Sequence, residues 1–170
     1  DVHREAAGAR CEVSLRPIEA RDDAAIAALI REVMPSFGAN GAGFAINDPE
    51  VDAMSRAYSG PRAGYWVVEQ GGRVVGGGGF APLQGGAVDT CELRKMYLLA
   101  EARGAGFGRE LLLLCLSEAK RCGFRRMYLE TLDTMVDARR LYDQNGFVRL
   151  PKPAGKTGHF GCNAWYAREL

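Results

Sequence analysis

Residues 103–108 read Arg-Gly-Ala-Gly-Phe-Gly and stand between an apolar strand pattern and a strong helix pattern. That order suits phosphate. Glycines let the backbone come close to a ligand, and the first free N–H groups of the helix then point at it. The helix dipole adds roughly 0.3–1 kcal/mol per anionic contact. A dinucleotide fingerprint needs a glycine at its sixth position, which is Arg109 counted from Gly104 and Leu111 counted from Gly106. The Walker pattern fails as well, because the position that must be glycine ahead of Gly155-Lys156-Thr157 is Leu150. What remains is Arg103-x-x-Gly106-x-Gly108, or else a glycine-rich connection that holds nothing.

Other chemistry-bearing residues are sparse. The cysteines Cys11, Cys91, Cys115, Cys122 and Cys162 form no C-x-x-C pair, so free thiols are expected rather than a disulfide frame. His3 and His159 lie far apart and not at ligand spacing, so no metal is expected. Cys91 beside Glu92 reads as a small buried thiol. His159 either touches an acceptor from its loop or sits on the surface.

The elements that must hold the loop follow from periodicity. Residues 1–11 carry little pattern and read as a mobile N-terminal arm ahead of one domain, residues 12–170. Residues 13–17 alternate as a first strand, with Pro17 suited to an edge. Ile26, Leu29, Ile30 and Val33 recur at helical spacing over 24–33. A glycine-rich irregular stretch fills 34–47 and carries no strong motif; plain connection is one reading. Asp48-Pro49 predicts a helix over 51–58, by an N-cap followed by proline at the first position. Strands are predicted at 65–69 and 73–82 around a Gly71-Gly72 hairpin, and at 88–99 with a break or bulge within it. Four consecutive glycines, residues 76–79, call for a bulge or a close approach. After the loop come a helix to Cys122 ended by Gly123, a strand at 126–132 and a helix at 135–145 ended by Gly146. Strands at 147–150 and 160–167 close the chain. The order β-α-α-β-β-β-α-β-α-β-β gives an α/β (α+β) domain, its sheet mixed but mainly antiparallel around a βαβ centre.

Two further stretches join the loop. Ala138-x-x-Leu141-Tyr142-x-x-x-Gly146-Phe147 follows it, and Glu92-Leu93-Arg94-Lys95-Met96-Tyr97 precedes it. Together, residues 92–150 resemble the GNAT superfamily, the Gcn5-related N-acetyltransferases. Their loop signature is Gln/Arg-x-x-Gly-x-Gly/Ala, and their second motif is A-x-x-L-Y-x-x-x-G-F. The resemblance implies an acyl-CoA N-acyltransferase-like fold, with helices flanking a sheet whose central strands splay. It implies the other reading of residues 34–47, a segment that varies among members and closes over the acceptor, and it implies acetyl-CoA as co-substrate. Its pyrophosphate would lie on Arg103, Gly104, Ala105, Gly106, Phe107, Gly108 and Arg109, with Ala138 a further cofactor contact. One departure stands out: many members carry asparagine three residues before the alanine, where this chain has Met135, so a contact to the pantetheine is expected to be lost.

The same resemblance distributes roles. An amine attacks a thioester only when neutral, and a lysine-like amine of pKa about 10.4 needs roughly 4.6 kcal/mol to lose its proton at pH 7. Glu92, eleven residues before Arg103, matches the base of the histone-acetylating branch. A strand-face glutamate paired with Arg94 is the alternative. The Met96 N–H would meet the developing oxyanion, and Leu98 would hold the pantetheine arm. Tyr97, between them, is expected among the cofactor-site residues but facing the core. Tyr142 would donate to the leaving thiolate.

Net charge of +1 gives no field to favour nucleic acid or an anionic membrane. No apolar run approaches a spanning helix, and the opening residues show no signal-peptide pattern, so a cytoplasmic enzyme is expected. The expected acceptor is a small-molecule primary amine, attacked directly in a ternary complex, with a homodimer as an option. Protein N-termini or lysines, or a non-catalytic CoA-binding module, are the alternatives.

Overall fold

A computed structural model describes residues 12–170. The expected N-terminal arm lies outside the described residues. The strands are β1 (Val13–Pro17), β2 (Gly64–Gln70), β3 (Arg73–Pro82), β4 (Thr90–Leu98), β5 (Arg126–Thr131), β6 (Val148–Leu150) and β7 (Ala164–Glu169). The helices are α1 (Asp23–Ser36), α2 (Met54–Ala57), α3 (Phe107–Arg121) and α4 (Val136–Gln144). One seven-stranded sheet runs β1-β2-β3-β4-β5-β7-β6. Only β4 and β5 pair in parallel; the other neighbours are antiparallel. The predicted mixed sheet is therefore present, with β1 and its Pro17 at an edge.

Alternation sends each sheet face to its own core. Phe80, Cys91, Leu93, Met127 and Leu129 pack with Leu112 and Cys115 of α3, while Tyr65, Val67 and Ala81 pack with Ile26, Ile30 and Met54. Leu111, Leu112 and Cys115 are wholly buried. Each buried leucine contributes about 1.5–3 kcal/mol, so packing rather than intrinsic propensity holds α3.

Three predicted boundaries are corrected. The helix expected over 51–58 is two pieces, a 3-10 turn at Pro49–Asp52 and α2, interrupted at Ala53 (φ −141°, ψ 44°). The Asp23 carboxylate accepts both the Ser55 N–H and its hydroxyl at 2.8 Å, which anchors α2 to α1 and leaves the proline-led turn free to bend. The last strand starts at Ala164 rather than 160, because residues 151–163 form a loop tied to β5 by the Thr157 hydroxyl and the Ala154 N–H. The third long strand runs over Thr90–Leu98 rather than 88–99, and the irregularity expected within it is present as a bulge. Gly77 opposes Tyr97 but Gly79 opposes Arg94, so two residues of β4 face the single Gly78. Lys95 takes φ +48° there.

The glycine run is explained by that region. A Cβ on Gly77 would lie 2.7 Å from the Tyr65 ring, and one on Gly78 would lie 2.8 Å from Met96 Cγ. Tyr65, thus seated, donates its hydroxyl to the Lys95 carbonyl at 2.7 Å and holds the bulge from behind.

Candidate active site

β4 and β5 pair only from Thr90–Arg126 to Glu92–Tyr128. Beyond that point the strands part, and three adjoining cavities occupy the gap and its two mouths.

The first is a groove of about 600 Å³ between the loop before α3 and the start of α4. Met96, Tyr97, Leu98, Arg103, Gly104, Gly106, Phe107, Gly108, Arg109 and Ala138 all line it. Ala105 does not; it is exposed between the two glycines. Gly106 is the residue before α3 and has φ +88°, and Gly104 has φ +84°. A Cβ on either would meet no atom within 4 Å, so bare backbone with unpaired helix N–H groups faces open space. Arg103 donates to the Leu98 carbonyl at 3.0 Å and lies over the Phe37 ring, 5.2 Å from its centroid, which fixes the loop against the end of β4. The volume is within the roughly 300–1,000 Å³ typical of ligand pockets. These features fit a pyrophosphate on the loop with a pantetheine arm along Leu98.

The second cavity is an inner chamber of about 50 Å³, lined by Glu92, Arg94, Lys95, Met96, Tyr97, Glu130, Met135, Tyr142, His159 and Cys162, with Phe37 and Phe44 among its cover. It shares Phe37, Met96, Tyr97 and Met135 with the groove. Tyr97 packs against the core beneath α1, on the side away from the α3 core that Met96 joins, yet it is only half-buried and also lines both cavities. Met135, in the place of the expected asparagine, lies where groove and chamber meet. The third cavity, about 280 Å³, opens on the far side and is lined by residues 153–160 with Glu130, Cys162 and Trp165. Glu130, His159 and Cys162 belong to both.

Charges crowd the chamber. Glu92 is 3 % exposed and accepts Arg94 Nε at 2.7 Å, so it faces the chamber and is paired at the same time. Burial raises its pKa, with Arg94 working against that rise. Lys95 donates to Asp48 at 2.8 Å and to Glu50, its side chain only 1 % exposed. His159 Nε2 lies 2.9 Å from Asp48, and its Nδ1 lies 3.6 Å from Glu130. The hydrogen bond to Asp48 and the nearby Glu130 carboxylate lift the His159 pKa to about 9. Burial alone would raise Asp48, but His159 and Lys95 hold it below the usual range. Glu130 also accepts the hydroxyls of Tyr128 (2.9 Å) and Thr157.

Tyr142 is buried, and its hydroxyl has no hydrogen-bond partner among the described residues. Burial raises its pKa, which keeps the proton on the phenol through the neutral range. Cys91 is wholly buried and its thiol is pushed up to about 12 by burial. That is the state of an inert core thiol.

Sequence reasoning missed Asp48, Lys95 and Glu130, and left His159 undecided. Asp48 and His159 are 111 residues apart, and no local pattern joins them.

Comparison with known proteins closes the question of kinship. Residues 26–147 match the model of the acetyltransferase (GNAT) family. The chain is 42 % identical over 157 residues to the uncharacterized N-acetyltransferase YjgM of Escherichia coli K12, covering 92 % of this chain and 94 % of that one. It shares its fold with a GNAT-family acetyltransferase of Staphylococcus aureus Mu50, at a TM-score of 0.81 and 19 % identity, over 94 % of this chain and 99 % of that one. A phosphinothricin acetyltransferase of Sinorhizobium meliloti in complex with AcCoA matches at a TM-score of 0.75 and 25 % identity, over 93 % and 88 %. The chain belongs to the GNAT family and is an acetyl-CoA-dependent N-acetyltransferase.

Proposed function

We propose that this chain acetylates a small-molecule primary amine by direct attack, with Glu92 as general base and Tyr142 as hydrogen-bond donor to the leaving sulfur. One observation carries the reading. Glu92 and Tyr142 line the same chamber of about 50 Å³, which adjoins the loop groove on one side and an open cavity on the other. The chamber admits a few atoms, enough for an amino group and its carbon.

Acetyl-CoA supplies the activated acyl group. The chain's own residues do the rest. The glycines of residues 104–108 and the α3 N-terminus hold phosphate, and Leu98 and Ala138 line the route of the arm. The Met96 N–H, beside the bulge of β4, is the donor assigned to the developing oxyanion. Glu92, with a raised pKa, takes the amine proton directly or through one water, an effect typically of ~10²–10⁴ in rate. Tyr142, held protonated by burial, donates without needing to ionise.

The test is CoA thiol release from acetyl-CoA with a panel of small primary amines and, separately, peptides. Release with amines is expected. Release with peptides alone would move the acceptor to protein N-termini or lysines. Tight CoA binding with no release from either set would leave a binding module.

A further inference from the structure

The charges around the inner chamber do not cancel. Four carboxylates (Asp48, Glu50, Glu92 and Glu130) and three cations (Arg94, Lys95 and His159) stand around it in two sets of contacts, Arg94 with Glu92, and Lys95 and His159 with the other three. Lys156 lines only the outer cavity and is exposed, so water and salt screen it. The cluster is therefore one positive charge short. Burial raises the Glu92 pKa, as a site lacking a cation would.

The shortfall has a place. Glu92, Glu130 and His159 converge there, one side-chain atom of each lying within 4.8 Å of the others. Each is oriented from behind: Glu92 by Arg94, Glu130 by Tyr128 and Thr157, His159 by Asp48. Glu92 Oε1 takes the Arg94 bond, and among the described residues no partner is recorded for Oε2.

We infer that this chamber selects a monocationic amine over a zwitterionic amino acid, the ammonium lying between Glu92 and Glu130. The inference rests on the reading of the chamber as the acceptor site. An α-carboxylate is two bonds from the amine nitrogen, so it would enter the same small space. There it would find no uncommitted cation. Arg94 is engaged with Glu92 and the Pro82 carbonyl, and Lys95 is sealed between Asp48 and Glu50. A buried carboxylate without a partner is strongly disfavoured, and two neighbouring carboxylates add repulsion. An ammonium completes the charge balance instead. The body of the acceptor would extend past His159 into the outer cavity, along Trp165 and the exposed Phe160.

The experiment uses two matched series of different bulk. One is phenethylamine, phenylalaninamide and phenylalanine; the other is propylamine, 2-aminobutyramide and 2-aminobutyrate. Affinity is measured calorimetrically with CoA present, and thiol release separately with acetyl-CoA. The amines and amides are expected to bind at least ten-fold tighter than the zwitterions. Glu130→Gln keeps an acceptor oxygen for Thr157 and should retain CoA affinity while the ratio collapses. Equal or tighter binding of the zwitterions, or no binding in either series, overturns the inference. So does stoichiometric binding of Zn²⁺ that excludes the amine and is lost in Glu130→Gln, which would make the three residues a metal centre. Preferential binding of the monocations without thiol release would uphold the inference and remove Glu92 and Tyr142 from catalysis. Turnover of zwitterions alone would do the reverse.

Discussion

Lys95 Nζ lies 2.8 Å from Asp48 Oδ2, across 47 residues of chain, while the Lys95 backbone holds φ +48° at the β4 bulge. The ion pair and the strained backbone belong to one residue, so the contact fixes the bulge and the cover of the chamber together. Lys95→Met should cost roughly 3 kcal/mol, the low end for breaking a buried ion pair, because Asp48 and Glu50 keep part of their solvation. The urea midpoint measures the loss. An unchanged midpoint would mean that Tyr65 alone maintains the bulge.

The loop is tested at Gly106. Gly106→Asp adds a Cβ and a carboxylate on the open side of the backbone, where phosphate is proposed to lie. Calorimetric affinity for CoA should fall at least ten-fold, about 1.4 kcal/mol. A folded variant with unaltered affinity would place the pyrophosphate elsewhere.

Tyr142→Phe leaves the packing of the ring against Phe147 and Tyr166 and removes only the hydroxyl. We expect kcat to fall about ten-fold or more, with CoA affinity unchanged. Full kcat would make the residue part of the core alone.

Glu92→Gln is nearly isosteric and keeps an oxygen toward Arg94. At neutral pH, kcat/KM should drop by roughly 10². The deficit should shrink as pH nears the amine's own pKa, about 10.4 for a lysine-like amine, since the acceptor then arrives neutral. In the wild type, activity should decline on acidification at a pH above the usual glutamate range, following the raised pKa. A loss independent of pH would point to a damaged pocket.

His159 sets a stability slope. Its folded pKa is raised to about 9, against about 6.5 unfolded, so the folded state binds the extra proton. Its contribution is complete below about pH 6.5 and is lost as pH rises toward 9, at no more than about 1.4 kcal/mol per pH unit. His159→Gln should flatten that part of the profile of Tm against pH. The same slope in both proteins would show that Asp48 and Glu130 do not hold the imidazolium.

The groove proposed for the donor was legible in the sequence because its parts are local. The loop, the strand before it and the helix at α4 lie within residues 92–150, where glycine spacing and apolar periodicity carry the geometry. Glu92 was legible as a residue but its pairing was not settled: the base and the Arg94 partner are the same side chain. The acceptor side was not legible. Asp48 read as a helix cap, yet its carboxylate turns to Lys95 and His159, because the helix it was to start breaks at Ala53. Tyr97 was legible as facing away from Met96, but its place on both cavities was not, because that depends on how β4 parts from β5. Glu130 carried no signal at all. It is a charged residue on a central strand, and only the parting of β4 and β5 makes room for it.

The chamber draws on segments spread from residue 34 to residue 162, whereas the groove comes mainly from two stretches, residues 96–109 and 134–144. The two share only Phe37, Met96, Tyr97 and Met135. With the acceptor in the chamber and the donor in the groove, as proposed, substitutions at residues 44–50 or 153–162 would remodel what is acetylated without disturbing how the donor is held. Those two loops would be the place to graft a new substrate range.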